Sequence, residues 1–453
     1  MNIRHQNQWK KSQCVCMNWN WKFRAVWILC LGVNDMSREM KDSGVEWLGE
    51  IPSHWDVKRL GSFFEERREK VSDVDYPALS VTKSGIVPQL DTAAKTDAGD
   101  NRKLVKADDF VINSRSDRKG SSGISPYTGS VSLISIVMEP RTIYPAYAHH
   151  LLRSYPFQEE FYRYGKGIVA DLWSTNSSEM KNILLPVIPI TEQQNIANFL
   201  DHETAKIDSL IEKQQQLIQL LKEKRQAVIS HAVTKGLDPN VPMKDSGVEW
   251  LGQVPEHWKI CSLSKIFSIK AGGDVQTRLF SEIQTDEHKF PIYTNANNAN
   301  SIYGYSKIAN YSANSITVSG RGDVGFAVYR DHAFDAIIRL LVLTPQKTCY
   351  TKYFAYFINE VIDFKVESSA IGQLSTLQIS PYKILFPPFD EQKLITEYLD
   401  NETIKIDALI HKAESVIQLM QERRTVLISS AVTGKIDVRN WQNPTEAKME
   451  FSA

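Results

Sequence analysis

The sequence MKDSGVEWLG occupies residues 40–49 and recurs without a single change at residues 243–252. A second repeated block, residues 192–238, aligns with residues 391–437. Chance does not produce such matches, so the chain consists of two copies of one module. Two long units exclude a solenoid of short stacked repeats, and they predict a molecule with a pseudo-two-fold internal repeat.

The segments between the repeated blocks, about residues 53–185 and 256–385, hold equivalent places but share little sequence. Both predict a mixed α/β fold, in which short β-branched and aromatic runs alternate with Gly, Asn and Ser clusters. The predicted strands include residues 110–113, 131–137, 315–319 and 336–343, and the predicted helical stretches are 145–164 and 351–364. A duplicated framework with diverged inserts favours two recognition units, each of which binds something different.

The second repeated block has a helical heptad pattern in both copies. One core position is occupied by Leu200, Ile207, Gln214, Leu221 and Val228, and in the second copy by Leu399, Ile406, Ala413, Met420 and Leu427. The complementary core position is assigned to Leu210, Leu217, Leu409 and Val416. Each seam needs a partner and the other copy is the nearest, so the two helices are predicted to pair.

Polar residues at 201–204 and 400–403 are predicted to interrupt each helix, which leaves a long helix over about residues 204–233 in the first copy. At about 1.5 Å per residue, roughly 30 residues span on the order of 45 Å, which suits a rigid spacer. A helical bundle that only stabilises two domains is the alternative interpretation.

Composition limits the classes of function. Lys plus Arg and Asp plus Glu balance at 53 each, and this neutrality counts against tight DNA binding by the chain alone. The five cysteines form no C-x-x-C pair and no histidine cluster has metal-ligand spacing, so reduced thiols and a cytoplasmic location without a metal site are expected. The apolar run at residues 25–33 is too short to span a bilayer, and Met36 or Met40 is an alternative start residue.

Two polar loops follow predicted strands and are the candidate DNA contacts. Residues 115–123 contain Arg115, Arg118 and Lys119 with several hydroxyls, and residues 319–325 contain Arg321. Cations and hydroxyls of this kind bind phosphates and base edges. Lys166 lies in a third candidate loop, a Gly-Lys-Gly turn, and the counterpart of this turn is residues 370–373. A tight polar turn between strands is the alternative for every one of these residues.

The second loop also matches G-x-G-x-x-G through Gly320, Gly322 and Gly325. A dinucleotide site requires a helix after this motif, whereas residues 326–329 predict a strand, so the motif is interpreted as a turn. The four tryptophans of the repeated framework, Trp47, Trp55, Trp250 and Trp258, are predicted to fill cores rather than stack on bases. No metalloprotease, Walker A, nucleophile-elbow or nuclease motif is found in the sequence, which favours a non-catalytic recognition subunit.

Several linked motifs, each present twice and in order, resemble the specificity subunit of type I restriction-modification enzymes. They are the decapeptide with IPSHW at residues 51–55, the proline-then-Glu-Gln helix starts at 186–193 and 387–392, and the KID triplets at 206–208 and 405–407. The resemblance runs from about residue 40 to residue 440, and residues 1–39 depart from it.

The resemblance implies two target recognition domains, each of which reads one half of a split double-stranded DNA target, and helices that pair antiparallel as a ruler for the spacer. It implies two modification subunits that carry S-adenosylmethionine and methylate adenine, and restriction subunits that use ATP and Mg²⁺. This chain would then supply specificity only, with no catalytic residue, cofactor or membrane contact of its own. Docking of the modification subunits on the helices is a further hypothesis.

The domain boundaries predicted on this basis run in order along the chain. They are an N-terminal extension at residues 1–39, recognition domain 1 at 40–188, a helical spacer and linker at 189–242, recognition domain 2 at 243–387, a second helical spacer at 388–440, and a tail at 441–453. Two other classes of protein remain open from the residues alone. One is a coiled-coil scaffold that binds proteins, and the other is a fused methyltransferase or nuclease with its own recognition repeats.

Overall fold

The computed structural model describes residues 38–90, 99–167, 173–295, 300–364 and 373–443. These residues form two compact units. Unit 1 contains the described residues up to Lys213 and from Ile417 onward, and unit 2 contains Gln214–Val416. The boundary between the units therefore falls inside the two long helices rather than in a linker.

A four-stranded antiparallel sheet of the same order lies in each unit. In unit 1 the neighbouring strands are Phe64–Glu66, Ser135–Pro140, Phe110–Asn113 and Ser122–Ile124. In unit 2 they are Phe267–Ala271, Leu340–Pro345, Ser315–Ser319 and Ala327–Arg330. The identical strand order confirms the expectation that one fold is used twice.

Each unit carries a second, smaller sheet. In unit 1 it has three strands, Gly129–Val131, Arg102–Val105 and Lys70–Val71, and in unit 2 it has four, Phe280–Ser281, Ile302–Ser306, Phe290–Tyr293 and Asp335–Ala336. Two-stranded ladders complete the units: Met40–Asp42 with Glu50–Pro52, Asp56–Arg59 with Leu184–Val187, Leu79–Thr82 with Gly85–Pro88, Met243–Asp245 with Gln253–Pro255, and Lys259–Ser262 with Lys383–Phe386.

Seven α-helices lie in the described residues: α1 (Pro145–Arg153), α2 (Tyr155–Arg163), α3 (Ser177–Met180), α4 (Ile190–Lys235), α5 (Thr351–Val361), α6 (Thr376–Ile379) and α7 (Phe389–Val432). Helices α1 and α5 are amphipathic, and each buries its apolar face in the core of its own unit. Helices α4 and α7 run without a break for 46 and 44 residues. The interruption predicted at residues 201–204 and 400–403 is therefore wrong.

The interrupting residues are accommodated by contacts that local sequence does not show. The Thr204 hydroxyl donates to the Leu200 carbonyl and the Thr403 hydroxyl to the Leu399 carbonyl, each over 2.7 Å, so both hydroxyls are satisfied inside the helix. Asp201 contacts His150 of α1 (2.7 Å), and Asp400 accepts from Lys352 of α5 (2.7 Å). Tertiary partners thus outweigh the weak helix propensity of these positions.

The two long helices pair within each unit, as the heptads predict, and they run antiparallel, as the resemblance implies. In unit 1 Arg424 of α7 donates to Asp208 of α4 over 3.0 Å. In unit 2 the roles are exchanged, since Arg225 of α4 donates to Asp407 of α7 over 3.0 Å. The first heptad position is turned inward as predicted: Leu200, Ile207, Leu399, Ile406, Ala413 and Leu427 are buried, and Gln214, Leu221, Val228 and Met420 are partly buried.

The complementary heptad position is not a core position. Leu210, Leu217 and Leu409 expose 44%, 43% and 52% of their surface, and Val416 is partly buried. Their assignment to the core is wrong because a heptad pattern marks an apolar face without saying whether its partner lies in the same chain. These residues leave an apolar surface on both helices.

The tryptophans of the repeated framework differ between the units. Trp55 and Trp258 are fully buried, as predicted, and Trp47 packs edge-on against Phe157 of α2 at 6.0 Å. Trp250 is 46% exposed, so its assignment to the core is wrong. The reason is that the described part of unit 2 contains no helix equivalent to α2 on which Trp250 could pack.

Candidate nucleic-acid interface

Three segments of unit 1 meet where the strand Phe110–Asn113 ends. The Ser114 amide donates to the Ile134 carbonyl (3.4 Å), the Thr175 amide donates to the Ser114 carbonyl (3.0 Å), and the Ser116 amide donates to the Trp173 carbonyl (2.8 Å). We call the meeting of residues 113–116, 133–135 and 173–175 junction 1.

Junction 1 brings together two predicted site residues that are far apart in the sequence. Arg115 and Lys166 each form an antiparallel bridge to Ser174. Arg115 is exposed and forms no side-chain ion pair with any residue the structure describes. Lys166 is 75% exposed, and its ammonium group lies 2.6 Å from the Glu179 carboxylate. The two cations therefore share one surface.

Arg118 is the last residue of the 3₁₀-helix Ser116–Arg118, and Lys119 follows directly. The Arg118 guanidinium is 69% exposed and lies 3.7 Å from the Asp117 carboxylate. Lys119 forms an ion pair with Glu159 of α2, and its ammonium group lies 5.9 Å from the ring centre of Tyr162. Such exposed ion pairs are worth about 0–1 kcal/mol, so a phosphate can replace the carboxylates.

Unit 2 repeats this arrangement as junction 2, formed by residues 319–321, 338–340 and 373–374. The Leu374 amide donates to the Gly320 carbonyl (2.8 Å), and the Gly320 amide donates to the Arg339 carbonyl (3.1 Å). Arg321 is bridged to Gln373 as Arg115 is bridged to Ser174. Residues 370–372, the rest of the predicted counterpart of the Lys166 turn, lie outside the described residues.

The glycines at junction 2 serve backbone geometry, as the sequence predicts. A Cβ atom at Gly320 would lie 2.4 Å from the Arg339 carbonyl oxygen and 3.0 Å from that of Leu374. Gly322 and Gly325 adopt φ angles of +81° and +92° in the turn between the strands Ser315–Ser319 and Ala327–Arg330. A strand follows the motif, so the dinucleotide-binding geometry is absent from this place.

The structure adds exposed residues at both junctions that the sequence did not single out. Junction 1 includes Leu133, Ile134 and Trp173, which expose 38%, 39% and 40% of their surface. At junction 2, Ile338 is 51% exposed and the neighbouring Arg339 is exposed as well. The only sequence signal of Leu133, Ile134, Ile338 and Arg339 is that they lie in the turns before the strands Ser135–Pro140 and Leu340–Pro345.

Both units hold the ends of the long helices by the same set of contacts. The Glu192 carboxylate at the start of α4 accepts from Trp55 Nε1 (3.1 Å) and contacts His54 (3.0 Å), and it forms an ion pair with Arg38. At the start of α7, Glu391 contacts Trp258 Nε1 (2.8 Å) and His257 (2.7 Å).

The neighbouring glutamines and the far ends of the helices are held in duplicate as well. Gln193 and Gln392 accept from the Tyr144 and Tyr350 amides over 2.8 Å. The Tyr147 hydroxyl donates to Val432 near the end of α7 (3.2 Å), and the Tyr353 hydroxyl donates to Val233 near the end of α4 (2.8 Å). Each unit thus binds the start of one helix and the end of the other.

In the described residues, no group of three or more His, Cys, Asp or Glu side chains has the arrangement of a metal site. Cys261 and Cys349 are free thiols, while the other cysteines lie outside the described residues. Among the helices of the described chain, none is long and apolar enough to cross a bilayer.

Comparison with known proteins shows which family this chain resembles. Residues 255–418 match the family model described as "Type I restriction modification DNA specificity domain". A putative type I restriction enzyme specificity subunit (MjaX) of Methanocaldococcus jannaschii is 22% identical over 428 residues, which cover 86% of this chain and 96% of that protein. A putative type I specificity subunit of Mycoplasma pneumoniae is 35% identical over 121 residues, 27% of this chain and 36% of that protein.

The chain belongs to the type I restriction-modification specificity subunits. Solved structures agree on the fold: a type I restriction-modification chain aligns with a TM-score of 0.67 at 14% identity, over 84% of this chain and 98% of that chain. The HsdS subunit of Thermoanaerobacter tengcongensis aligns with a TM-score of 0.52 at 15% identity, over 85% and 98%. Specificity subunits are non-catalytic, bind DNA, and assemble with methyltransferase and restriction subunits that carry the catalytic activity.

Proposed function

We propose that each unit of this specificity subunit reads one half of a bipartite DNA target through its junction. The observation that carries the proposal is that junctions 1 and 2 share two backbone hydrogen bonds and one antiparallel bridge but expose different side chains. A shared backbone with variable side chains suits two readers of different sequences. Arg115 and Arg321 occupy equivalent bridge positions, and Arg118, Lys119 and Lys166 add positive charge beside Arg115.

Arg115 and Arg321 are assigned to base edges, and the other three cations to phosphates. An arginine without an acidic partner keeps its fork of N–H groups available for bidentate recognition of a base. The lysines have acidic partners and carry point charges, which suits exchange of a carboxylate for a phosphate. Because phosphate contacts position the protein and base contacts specify the sequence, the two groups should give different mutant phenotypes.

The test is to co-express the chain with its methyltransferase subunit in a host without adenine methylation, and to map N6-methyladenine by long-read sequencing. A single split motif with a fixed gap is expected. Absence of methylation from a stable complex supplied with S-adenosylmethionine, or one contiguous motif, would overturn the proposal. The proposal assigns S-adenosylmethionine, ATP and Mg²⁺ to the partner subunits and includes a cytoplasmic location for the complex.

The long helices are proposed to fix the spacer and to dock two methyltransferase subunits. The supporting observation is a duplicated set of exposed leucines. Unit 1 exposes Leu210 of α4 (44%) and Leu419 of α7 (63%), and unit 2 exposes their equivalents Leu409 of α7 (52%) and Leu220 of α4 (61%). Two equivalent apolar sites fit two copies of the same partner.

A stoichiometry measurement tests this docking. The double variant Leu210→Asp with Leu419→Asp should leave one methyltransferase subunit per specificity subunit instead of two, as measured by native mass spectrometry. Gln215→Asp introduces an exposed charge on another face of α4 and should leave two bound. Two subunits bound to the double leucine variant would remove these leucines from the docking surface.

A further inference from the structure

A turn of unit 2 places a second arginine at junction 2. Arg339 precedes the strand Leu340–Pro345, is exposed, and has a φ angle of +77°. Its carbonyl oxygen accepts the Gly320 amide over 3.1 Å. Since Gly320 directly precedes Arg321, the two arginines lie on adjoining segments of the same junction.

The backbone conformation of Arg339 is unusual for its residue type. The other non-glycine residues with positive φ in the described chain are Asp108 (+70°) and Asn314 (+62°). Short Asp and Asn side chains tolerate this region, whereas arginine gains nothing from it. Outliers of this kind persist where the surrounding structure fixes them, and they cluster at functional sites.

The structure shows what fixes the turn. The Gly320 amide is shared between the Arg339 carbonyl and the Asn295 side-chain oxygen (3.0 Å), and the Asn295 amide group donates to the Ile338 carbonyl (3.3 Å). The Leu340 amide donates to the Ile337 carbonyl (3.2 Å), which closes the turn. Asn295 therefore ties both strand ends together, and the side chain of Arg339 has no ion pair with the described residues.

We infer that Arg339 reads a guanine on the major-groove edge of the half-site bound by unit 2, next to the base contacted by Arg321. This inference rests on the proposed function and extends it to a residue and a base. A guanidinium group matches the O6 and N7 acceptors of guanine with two parallel hydrogen bonds. A phosphate contact would need only a flexible charge, whereas a fixed backbone at Arg339 orients the side chain as base recognition requires.

Unit 1 carries a different residue at the place of Arg339. Ile134 occupies the place of Arg339, because its carbonyl accepts the Ser114 amide as that of Arg339 accepts the Gly320 amide. An isoleucine side chain has no hydrogen-bond donor, so it is limited to apolar contacts such as the thymine methyl group. The half-site of unit 1 should therefore lack an arginine-read guanine at this position.

The experiment compares methylation motifs and DNA affinity for the complete methyltransferase complex with Arg339→Asn, Arg339→Lys or Arg278→Gln. Asparagine tolerates positive φ and removes the guanidinium group, and lysine keeps the charge without the fork. Arg278 is an exposed arginine in another part of unit 2, on the 3₁₀-helix Thr277–Leu279, and controls for loss of a general cation.

One guanine of one half-site should become degenerate with both Arg339 variants, and preference for guanine there should fall by roughly 5- to 150-fold. The other half-site should stay unchanged, and Arg278→Gln should weaken binding to all sequences alike. An unchanged motif, or a uniform loss with Arg339→Asn that Arg339→Lys restores, would overturn the inference while leaving the bipartite function intact. A wild-type complex without a bipartite motif would overturn both.

Discussion

The two units hold their helices by the same contacts but expose different side chains at their junctions. His54, Trp55 and Glu192 in unit 1 match His257, Trp258 and Glu391 in unit 2. At the junctions, by contrast, unit 1 has Ile134 where unit 2 has Arg339, and Trp173 has no described counterpart. Duplication has thus kept the contacts that fix the path of the chain and has let the exposed surface diverge.

Even the shared contacts differ in burial. The Glu192 side chain is 6% exposed and its partner Arg38 is 8% exposed, whereas the Glu391 side chain is 37% exposed. Burial disfavours ionisation of Glu192, but hydrogen bonds from His54, Arg38 and Trp55 outweigh it, so the pKa of this carboxyl is lowered. The start of α4 is therefore held by a buried ionic cluster, and the start of α7 by a more hydrated one.

The largest difference between the units is expected for the variants Glu192→Ala and Glu391→Ala. Removing Glu192 leaves the Trp55 N–H buried without its acceptor and the buried Arg38 charge with only a 4.0 Å contact to Asp437, which should cost about 3–5 kcal/mol of folding free energy. Glu391→Ala should cost less, about 1–3 kcal/mol, because His257 stays hydrated and only the buried Trp258 N–H loses its acceptor. Urea unfolding with unit-resolved hydrogen exchange measures both, and equal losses would contradict the difference in burial.

Acid should destabilise unit 1 before unit 2. Burial, followed by the charge of Arg153, lowers the pKa of His149 from 6.5 to about 3, and the equivalent residue of unit 2 is Ala355. Below pH 6.5 the unfolded chain takes up a proton that folded unit 1 rejects. Stability is therefore lost as the pH falls from 6.5 towards 3, by up to about 1.4 kcal/mol per pH unit.

Hydrogen exchange read over residues 110–125 and 315–330 reports this loss for each unit. The variant His149→Ala gives unit 1 the residue that unit 2 already has, and it should remove the extra pH dependence of residues 110–125. A slope that persists in His149→Ala would assign the acid sensitivity to other groups.

Replacing Arg115 or Arg321 should show which half of the DNA motif each unit reads. Arg115→Gln and Arg321→Gln should each cost about 1–3 kcal/mol of discrimination at one base and should relax different halves of the motif. Methylation mapping of the two complexes in parallel decides this. If both variants changed the same half, the assignment of one half-site to each unit would fail.

The smallest effects are expected at the lysine of junction 1. Lys166→Ala should lower DNA affinity for all sequences by less than about 1 kcal/mol and should reduce the salt dependence of binding by about one phosphate contact. Glu179→Gln removes the competing carboxylate and should raise affinity slightly. Fluorescence anisotropy at several salt concentrations measures both, and a changed motif with Lys166→Ala would mean that Lys166 reads a base.

The repeat and the heptad pattern were enough to predict two copies of one fold and a pair of long helices, while the antiparallel direction came from the family resemblance. They failed where tertiary contacts override local preference. Asp201 and Asp400 continue their helices because His150 and Lys352 contact them. Leu210 and Leu409 looked like core residues because the pattern records an apolar face and not the chain that covers it.

Loop composition located the candidate site but not all of its members. Arg115 and Arg321 stand out after strands, whereas Arg339 is marked by a positive φ angle and a carbonyl contact with Gly320. Both features depend on the approach of segments distant in the sequence, so no local pattern could have indicated them. The junction of Arg115 with Lys166 through Ser174 is likewise a property of the fold.

The central claim, that each unit reads its own half-site on a shared framework, is tested most directly by a chain that carries residues 53–185 in place of residues 256–384, which keeps the strand register. Trp55 contacts its long helix as Trp258 does, and Tyr147 does so as Tyr353 does. These equivalent contacts allow the insert to fit the framework of unit 2. Methylation mapping of its complex should give a motif that contains the half-site of unit 1 twice and has lost that of unit 2. Retention of the unit 2 half-site by this chain would contradict the account.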